Sequence, residues 1–264
     1  MSSSTTQASP PRPEVVRFPT ASGHELVGRM HWPDASPIAV ALFAHCFTCS
    51  KDIHAAVRIS RALAEQGWAT LRFDFTGIGE SEGDFADTDF SSNLDDLVAA
   101  ADFLRDHHEA PTLLVGHSLG GAAVIAAAHR IPEARAVATI GAPFDPAHVE
   151  HLIAPQAPEL AERGEATIRL GGASFRVRAQ LLDDLAAQPQ ERRIRELGRA
   201  LLVAHAPGDT IVSVDNAARI FTAARHPRSF LSLDDADHLL TTPSDAQRVG
   251  ALLATWAAHY VRTP

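Results

Sequence analysis

The 264-residue sequence is poor in the features that mark nucleic-acid-binding and membrane-spanning proteins. Its 23 Lys and Arg residues are outnumbered by 32 Asp and Glu residues, which gives a formal net charge of -9. No long basic run is present that could follow a phosphate backbone. No apolar stretch approaches the roughly 18 residues that a membrane-spanning helix needs. We therefore expect neither nucleic acid nor a membrane among the partners, and the sequence does not reveal the oligomeric state.

Cysteine is also scarce, because Cys46 and Cys49 are the two that the chain contains. Two cysteines are too few for a disulfide scaffold, and their scarcity fits a reducing compartment. Residues 1–13 are rich in Ser, Thr and Pro and lack the apolar middle segment of a secretory signal. This composition predicts a disordered leader. Together these observations predict a cytoplasmic location.

Strand-like and helix-like segments alternate along most of the chain. Two short runs, residues 14–18 and 25–31, flank the turn signal Ser22-Gly23 and predict an antiparallel pair. The later strand-like runs are apolar throughout, as strands covered on both faces are. They predict a mostly parallel, doubly wound sheet of the α/β class. The predicted later strands are 38–43, 69–75, 112–115, 136–140, 200–205 and 229–233, and the predicted helices are 54–66, 93–107, 122–128, 215–224 and 244–261.

The alternation breaks between residues 145 and 199, where charge increases and prolines appear. Two alternating runs, 167–170 and 174–178, flank Gly171-Gly172 and predict a β-hairpin. We interpret residues 145–199 as a cap inserted into a core made of residues 14–144 and 200–264.

The sharpest motif is Gly116-His117-Ser118-Leu119-Gly120, which lies where a buried strand ends and a helix follows. A Gly-x-Ser-x-Gly at such a junction makes a tight turn that exposes the serine hydroxyl above the sheet. A coincidental Gly and Ser turn is the alternative, and the strand-to-helix context argues against it. Ser118 is therefore the candidate nucleophile.

A serine nucleophile needs a base and a group that orients the base. Asp209 follows one predicted strand and His238 follows the next, so the order Ser, Asp, His agrees with this type of turn. Asp145, which follows the preceding strand, is the rival acid. Asp235 and Asp237 lie too near His238 in sequence to reach the far nitrogen of its ring.

The oxyanion of an acyl-transfer intermediate needs two N–H donors. The backbone N–H of Leu119 is the first candidate, and that of Phe47, in the loop after the strand 38–43, is the second. His45, in the same loop, is expected to stabilise the loop by a hydrogen bond.

These motifs, together with 43–52 and 72–79, resemble bacterial α/β hydrolases of the type often fused to a C-terminal OsmC-like peroxide-reducing domain. The resemblance covers nearly the whole chain after the leader and implies the α/β-hydrolase fold and a serine esterase-like activity. The sequence ends at Pro264, so the second domain is not expected here. In the family, the turn around Asp74 is structural. Cys46 stands where esterases of this fold commonly have glycine in a His-Gly-Phe loop.

Three interpretations of Cys46-x-x-Cys49 stay open: structural free thiols, a redox pair, or half of a metal site with His45 and His54. We favour free thiols, because the pair lies on the candidate oxyanion loop.

The sequence thus predicts a carboxylesterase-like hydrolase of small esters, with Ser118, His238 and Asp209 as catalytic triad and no cofactor or metal. A thioesterase, amidase or perhydrolase would use the same residues. A non-catalytic ligand-binding protein with this fold is a further alternative, against which the intact set of three residues argues.

Overall fold

A central eight-stranded sheet organises the computed structural model, which describes residues 12–170 and 172–261. The strand order is β1-β2-β4-β3-β5-β6-β9-β10; β2 pairs antiparallel with β1 and β4, and the other neighbours are parallel. The predicted mostly parallel sheet with an antiparallel opening pair is confirmed. Residues 1–11 of the predicted leader and Gly171 lie outside the described residues. The strands are β1 Glu14–Pro19, β2 Glu25–His31, β3 Ala39–Ala44, β4 Trp68–Phe73, β5 Leu113–His117, β6 Ala136–Ile140, β7 Glu165–Leu170, β8 Ala173–Arg178, β9 Ala200–His205 and β10 Arg228–Ser232.

Helices cover both faces of the sheet, which is why the strands β3, β4, β5, β6 and β9 are buried along their whole length. Apolar residues of α1 and α9 pack on one face, and those of α2, α3 and α8 pack on the other. No helix in the described part of the chain combines the length and the apolar character needed to cross a membrane. The helices are α1 His54–Glu65, α2 Phe90–His107, α3 Leu119–Ala127, α4 Glu150–Ile153, α5 Leu160–Arg163, α6 Ala179–Ala186, α7 Gln190–Arg195, α8 Asp215–Ala223 and α9 Pro243–Val261.

Two helices begin three residues earlier than the sequence predicts. In α2, the side chain of Asp89 accepts from the N–H of Ser92, and the Ser92 hydroxyl accepts from the N–H of Asp89. This capping box makes Asp89 the last residue before the helix, so that Ser91 and Ser92 lie in its first turn. The helix α3 begins at Leu119, directly after Ser118. Its first turn contains Gly120 and Gly121, whose low helix propensity led the sequence to predict a later start.

The segment between β6 and β9 contains the predicted hairpin, formed by β7 and β8. Short helices surround it, from α4 to α7. The hairpin is tied to a 3-10 turn, Phe85–Asp87, by ion pairs from Arg176 to Asp84 and from Arg178 to Asp87. The ring of Phe175 on β8 also contacts the ring of Phe85, with their centres 5.1 Å apart. The hairpin therefore closes over the loop that follows β4.

A buried ion cluster fixes the end of the loop after β3. The Lys51 side chain is 1% exposed, and its Nζ lies 2.6 Å from both Asp74 and Glu80 carboxylate oxygens. The backbone N–H of Lys51 donates to the other Asp74 oxygen at 2.7 Å, and Arg72 donates to the Lys51 carbonyl. Burial lowers the pKa of Lys51, but the hydrogen bonds to Asp74 and Glu80 outweigh it and raise the pKa above its ordinary value. These contacts agree with a structural role for the Asp74 turn.

Glycines allow three backbones to meet where β5 ends. A Cβ placed on Gly116 would lie 2.2 Å from the carbonyl oxygen of Gly120, and one on Gly120 would lie 2.4 Å from that of His45. Both neighbours are main-chain atoms and cannot rotate away. The start of α3 therefore packs against the end of β5 and against the loop after β3 at a separation that only glycine permits.

We expect Gly116→Ala to lower the free energy of unfolding by about 3 kcal/mol or to prevent folding, because overpacking against rigid atoms costs about 1–3 kcal/mol and occasionally more. Gly208→Ala is the matched control, since its added methyl group meets nothing within 4 Å. Urea unfolding of both variants would measure the difference. Equal stability of the two variants would contradict the close packing described here.

Candidate active site

Ser118 lies in the sharp turn between β5 and α3. Its backbone has a φ of 55°, a left-handed conformation that is uncommon for residues other than glycine. The N–H of Ser118 donates to the carbonyl of Ile140 on β6 at 2.8 Å, which fixes the turn to the sheet. The strand-to-helix turn predicted from the sequence is therefore present, with Ser118 at its apex.

The structure brings Ser118, His238 and Asp209 together in one chain of hydrogen bonds. His238 follows β10, and its Nε2 lies 3.1 Å from the Ser118 Oγ. Its Nδ1 lies 2.7 Å from an Asp209 carboxylate oxygen. Asp209 follows β9 on the neighbouring strand, so the two loops meet at the carboxyl end of the parallel strands. This is the spatial arrangement expected of the three residues.

The second oxygen of Asp209 accepts the N–H groups of Ile211 and Val212, each at 2.9 Å. Burial raises the pKa of Asp209, but the nearby His205 and the hydrogen bonds donated by His238 and the Val212 N–H outweigh it and hold the pKa well below its usual range. The carboxylate is therefore ionised at neutral pH. Asp145, the rival acid, instead accepts the N–H of Ala147 at the start of a 3-10 turn.

Two buried histidines beside this chain were not among the predicted site residues. His117 Nε2 donates to the carbonyl of His238 at 2.7 Å, and the two rings lie 5.2 Å apart. Burial and the neighbouring His238 lower the pKa of His117 to about 4, so His117 is neutral at pH 7. His205 Nε2 donates to the Val212 carbonyl at 2.7 Å and lies 3.5 Å from an Asp209 oxygen. His117 and His205 both lie in apolar strands, and from the sequence such a position predicts only that a residue belongs to the core.

The candidate oxyanion donors, Phe47 and Leu119, line one small cavity at the start of α3, directly after Ser118 in the chain. The cavity measures about 20 Å³ and is bordered mainly by apolar side chains. The N–H of Phe47 has no hydrogen-bond acceptor among the described residues. Leu119 is the first residue of α3, where backbone N–H groups lack partners within the helix. Other residues that border the cavity are Cys46, Phe75, Ile78 and Phe85.

His45 makes the hydrogen bond within the loop that was predicted from the sequence. It is 2% exposed, and its Nδ1 lies 2.8 Å from the Cys46 carbonyl. Its ring packs edge-on against Phe75. Burial lowers the pKa of His45, so the side chain stays neutral inside the loop.

The prediction of free thiols is wrong, because Cys46 and Cys49 form a disulfide. Their Cα atoms lie 5.3 Å apart, within the range that a disulfide spans without backbone movement. The small number of cysteines argues against a scaffold of several disulfides. It does not bear on a single bond between two cysteines that are separated by two residues. With both sulfurs bonded to each other, the half metal site with His45 and His54 is also contradicted.

Comparisons with known proteins agree with this fold. The crystal structure of the esterase domain from a Rhodothermus marinus protein is 50% identical, covers 96% of this chain and 100% of that domain, and superposes with a TM-score of 0.79. Est1E from Butyrivibrio proteoclasticus, solved with ferulic acid, is 18% identical over 93% of this chain and 99% of its own, with a TM-score of 0.76. The second likeness concerns the fold alone.

Among curated proteins, the mitochondrial palmitoyl-protein thioesterase ABHD10 from Rattus norvegicus is 37% identical over 86 residues. That match covers 33% of this chain and spans only 28% of the relative's length.

A family model described as serine aminopeptidase, S33 (Hydrolase_4) matches residues 36–170, which contain β3 to β7 and the Ser118 turn. The matched segment is just over half of the chain and includes the strand-to-helix geometry described above. The chain has the α/β-hydrolase fold and belongs to this hydrolase family.

Proposed function

We propose that the protein is a cytoplasmic serine hydrolase that cleaves small carboxylic esters through an acyl-enzyme intermediate. The hydrogen-bond chain from Ser118 through His238 to Asp209 carries this proposal. The 50% identical esterase domain supports the same class of reaction. The step needs no cofactor, because these three side chains supply nucleophile, base and orienting acid.

In the proposed mechanism, the Ser118 hydroxyl attacks the ester carbonyl while His238 Nε2 takes its proton. The ionised Asp209 accepts the Nδ1 proton of His238, which fixes the ring tautomer and stabilises the imidazolium. His238 then donates the proton to the leaving alcohol. A water molecule, activated by His238 in the same way, releases the acid and restores Ser118.

The N–H groups of Phe47 and Leu119 are the proposed donors to the oxyanion. Three features support this role: both residues line the same cavity, the N–H of Phe47 is unpaired among the described residues, and Leu119 opens a helix. Such donors stabilise negative charge most where water is excluded. Gly120 supports the pairing, because it lets the start of α3 approach the His45 carbonyl closely.

The size of the cavity favours a short acyl group. A space of about 20 Å³ holds little more than one water molecule. Phe47 and Phe85 border it, and the cap residue Phe175 packs against Phe85 from outside. The narrowness of this space favours a short acyl chain over a long one. A thioesterase that accepts acetyl thioesters is compatible with these residues, whereas the palmitoyl specificity in the name of the ABHD10 relative is not favoured.

Ser118→Ala removes the proposed nucleophile, and we expect ester hydrolysis to fall by at least about 10³-fold while the variant folds normally. Labelling by a fluorophosphonate probe should disappear with it. p-Nitrophenyl acetate kinetics and gel fluorescence measure the two effects, and circular dichroism controls for folding. Hydrolysis at the wild-type rate would exclude Ser118 as nucleophile, and labelling of the wild type would exclude a purely ligand-binding protein.

The orienting acid is tested by a matched pair of variants, Asp209→Asn and Asp145→Asn. We expect Asp209→Asn to lower kcat by about 10⁴-fold, because the amide no longer holds the correct His238 tautomer. Asp145→Asn should change kcat by less than about threefold, since Asp145 only accepts the N–H of Ala147. The reverse pattern in p-nitrophenyl acetate kinetics would show that Asp145, and not Asp209, is the orienting acid.

Acyl-chain preference is tested with p-nitrophenyl esters from two to twelve carbons. We expect kcat/KM to be highest for acetate to butyrate and to fall for acyl chains of about ten carbons or more. Each further methylene helps by about 0.8 kcal/mol only where there is space to bury it. A steady rise in kcat/KM with chain length would instead indicate an open groove.

A further inference from the structure

We propose that the Cys46–Cys49 disulfide is a thiol-exchange site, at which a small thiol or dithiol attacks Cys49 and thereby slows the hydrolysis at Ser118. This inference rests on the proposed function, because its effect is on the rate of that reaction. The observations that carry it are the disulfide itself, the unequal exposure of its two residues, and its place around Phe47.

The two cysteines differ in access. Cys46 is 4% exposed and borders the cavity that Phe47 and Leu119 line, whereas Cys49 is half-buried and does not border that cavity. A thiolate must reach a sulfur along the line of the S–S bond to displace the other one. Attack at Cys49, with Cys46 as leaving group, is therefore the accessible route.

The disulfide encloses the residue that supplies a proposed oxyanion donor. Phe47 and Thr48 form the turn between the two cysteines, which is closed by a 3.1 Å hydrogen bond from the Cys49 N–H to the Cys46 carbonyl. Thr48 has a φ of 57°, a conformation that a β-branched residue rarely adopts. Local strain of this kind persists only where the surrounding structure enforces it. Once the disulfide opens, Thr48 is free to relax and to turn the Phe47 N–H away from the cavity.

Movement after reduction is confined to this turn, because both of its sides are fixed independently. On the amino-terminal side, the His45 carbonyl packs against Gly120, and the His45 ring packs against Phe75. On the carboxyl-terminal side, Lys51 is held by Asp74 through backbone and side chain. Among the described residues, no side-chain hydrogen bond joins Ser118, His238 or Asp209 to either cysteine. Reduction should therefore weaken oxyanion stabilisation and leave the triad intact.

Complete reduction of the disulfide consumes two thiols. A thiolate of the small thiol forms a bond to Cys49 sulfur, the S–S bond breaks, and its electron pair remains on Cys46 as a thiolate. A second thiolate attacks the sulfur that came from the first thiol, which yields a small-molecule disulfide and the Cys49 thiolate. The protein gains two electrons, the two thiols lose two, and the two cysteine thiolates take up protons according to their pKa. Oxidised glutathione reverses the sequence.

The test compares one preparation in two states. Wild-type protein is oxidised with oxidised glutathione, and a second portion is reduced with dithiothreitol and desalted under argon, so that no free thiol attacks the substrate. Intact mass and peptide mapping establish the state of the disulfide. We expect reduction to lower kcat for p-nitrophenyl acetate about tenfold with KM changed by less than about twofold. This loss is smaller than the roughly 10²–10³-fold that removal of an oxyanion donor costs, because the donor is loosened and not deleted. Reoxidation should restore kcat.

Variants add two independent readouts. The Cys46→Ser/Cys49→Ser double variant should have the kcat of the reduced wild type and no response to either reagent. With oxidised glutathione, Cys46→Ser should gain one glutathione on Cys49, whereas Cys49→Ser should remain unmodified because Cys46 is buried. Thermal unfolding of each variant controls for loss of folding, and the two states of the wild type test the rate effect without any substitution.

The outcomes separate this proposal from the hydrolase function. Equal kcat in both wild-type states, or failure of the two cysteines to form a disulfide with oxidised glutathione, would overturn the thiol-exchange site while the hydrolase stands. If oxidised and reduced protein both fail to hydrolyse esters and to react with a fluorophosphonate, the hydrolase function itself is overturned, and the rate control with it.

Discussion

The close approach of three main-chain segments at Gly116 and Gly120 is the constraint on which the rest of this structure depends. The end of β5, the start of α3 and the loop after β3 meet there at distances that leave no room for a Cβ atom. This contact sets Ser118 above the sheet and brings the Leu119 N–H to the same cavity as Phe47. The positions of Asp209 and His238 then follow from the sheet, because their strands β9 and β10 are neighbours and end at the same edge.

A buried ion pair also helps to position the loop after β3. An ion pair such as Lys51–Asp74 contributes little net stability, because the removal of two charges from water opposes their attraction. What the pair provides is position: Lys51 is held by its side chain and its backbone, and Arg72 adds a hydrogen bond to its carbonyl. The loop that carries Phe47 thereby ends at a fixed point. The neutral His117, which donates to the His238 carbonyl, does the same for the opposite loop.

The sequence allowed much of this arrangement to be predicted, and its failures have physical causes. Strands β2, β6 and β9 have the predicted bounds, because polar residues or turn signals flank their apolar runs. The meeting of Ser118, His238 and Asp209 was predicted, because motif and chain order constrain it. The roles of His117 and His205 depend on contacts across strands, which local patterns do not encode. The Cys46–Cys49 bond depends on the backbone of one tight turn, which composition cannot reveal. The walls of the cavity come from segments that are distant in sequence, so its volume depends on packing and is not encoded in any local pattern.

All nine residues of α3 are buried, and most are glycine or alanine, so the helix behind Ser118 has no side that faces water. A larger side chain there would displace the sheet or the loop and disturb the turn that holds Ser118. The hairpin of β7 and β8, in contrast, is held to the body of the protein partly by exposed ion pairs that contribute little to stability. Substitutions in the hairpin can therefore change the surface over the loop that follows β4 without changing the packing around Ser118. The molecule thus combines a tightly packed frame around Ser118, where a larger side chain has no room, with an outer hairpin whose exposed contacts can change at small cost in stability.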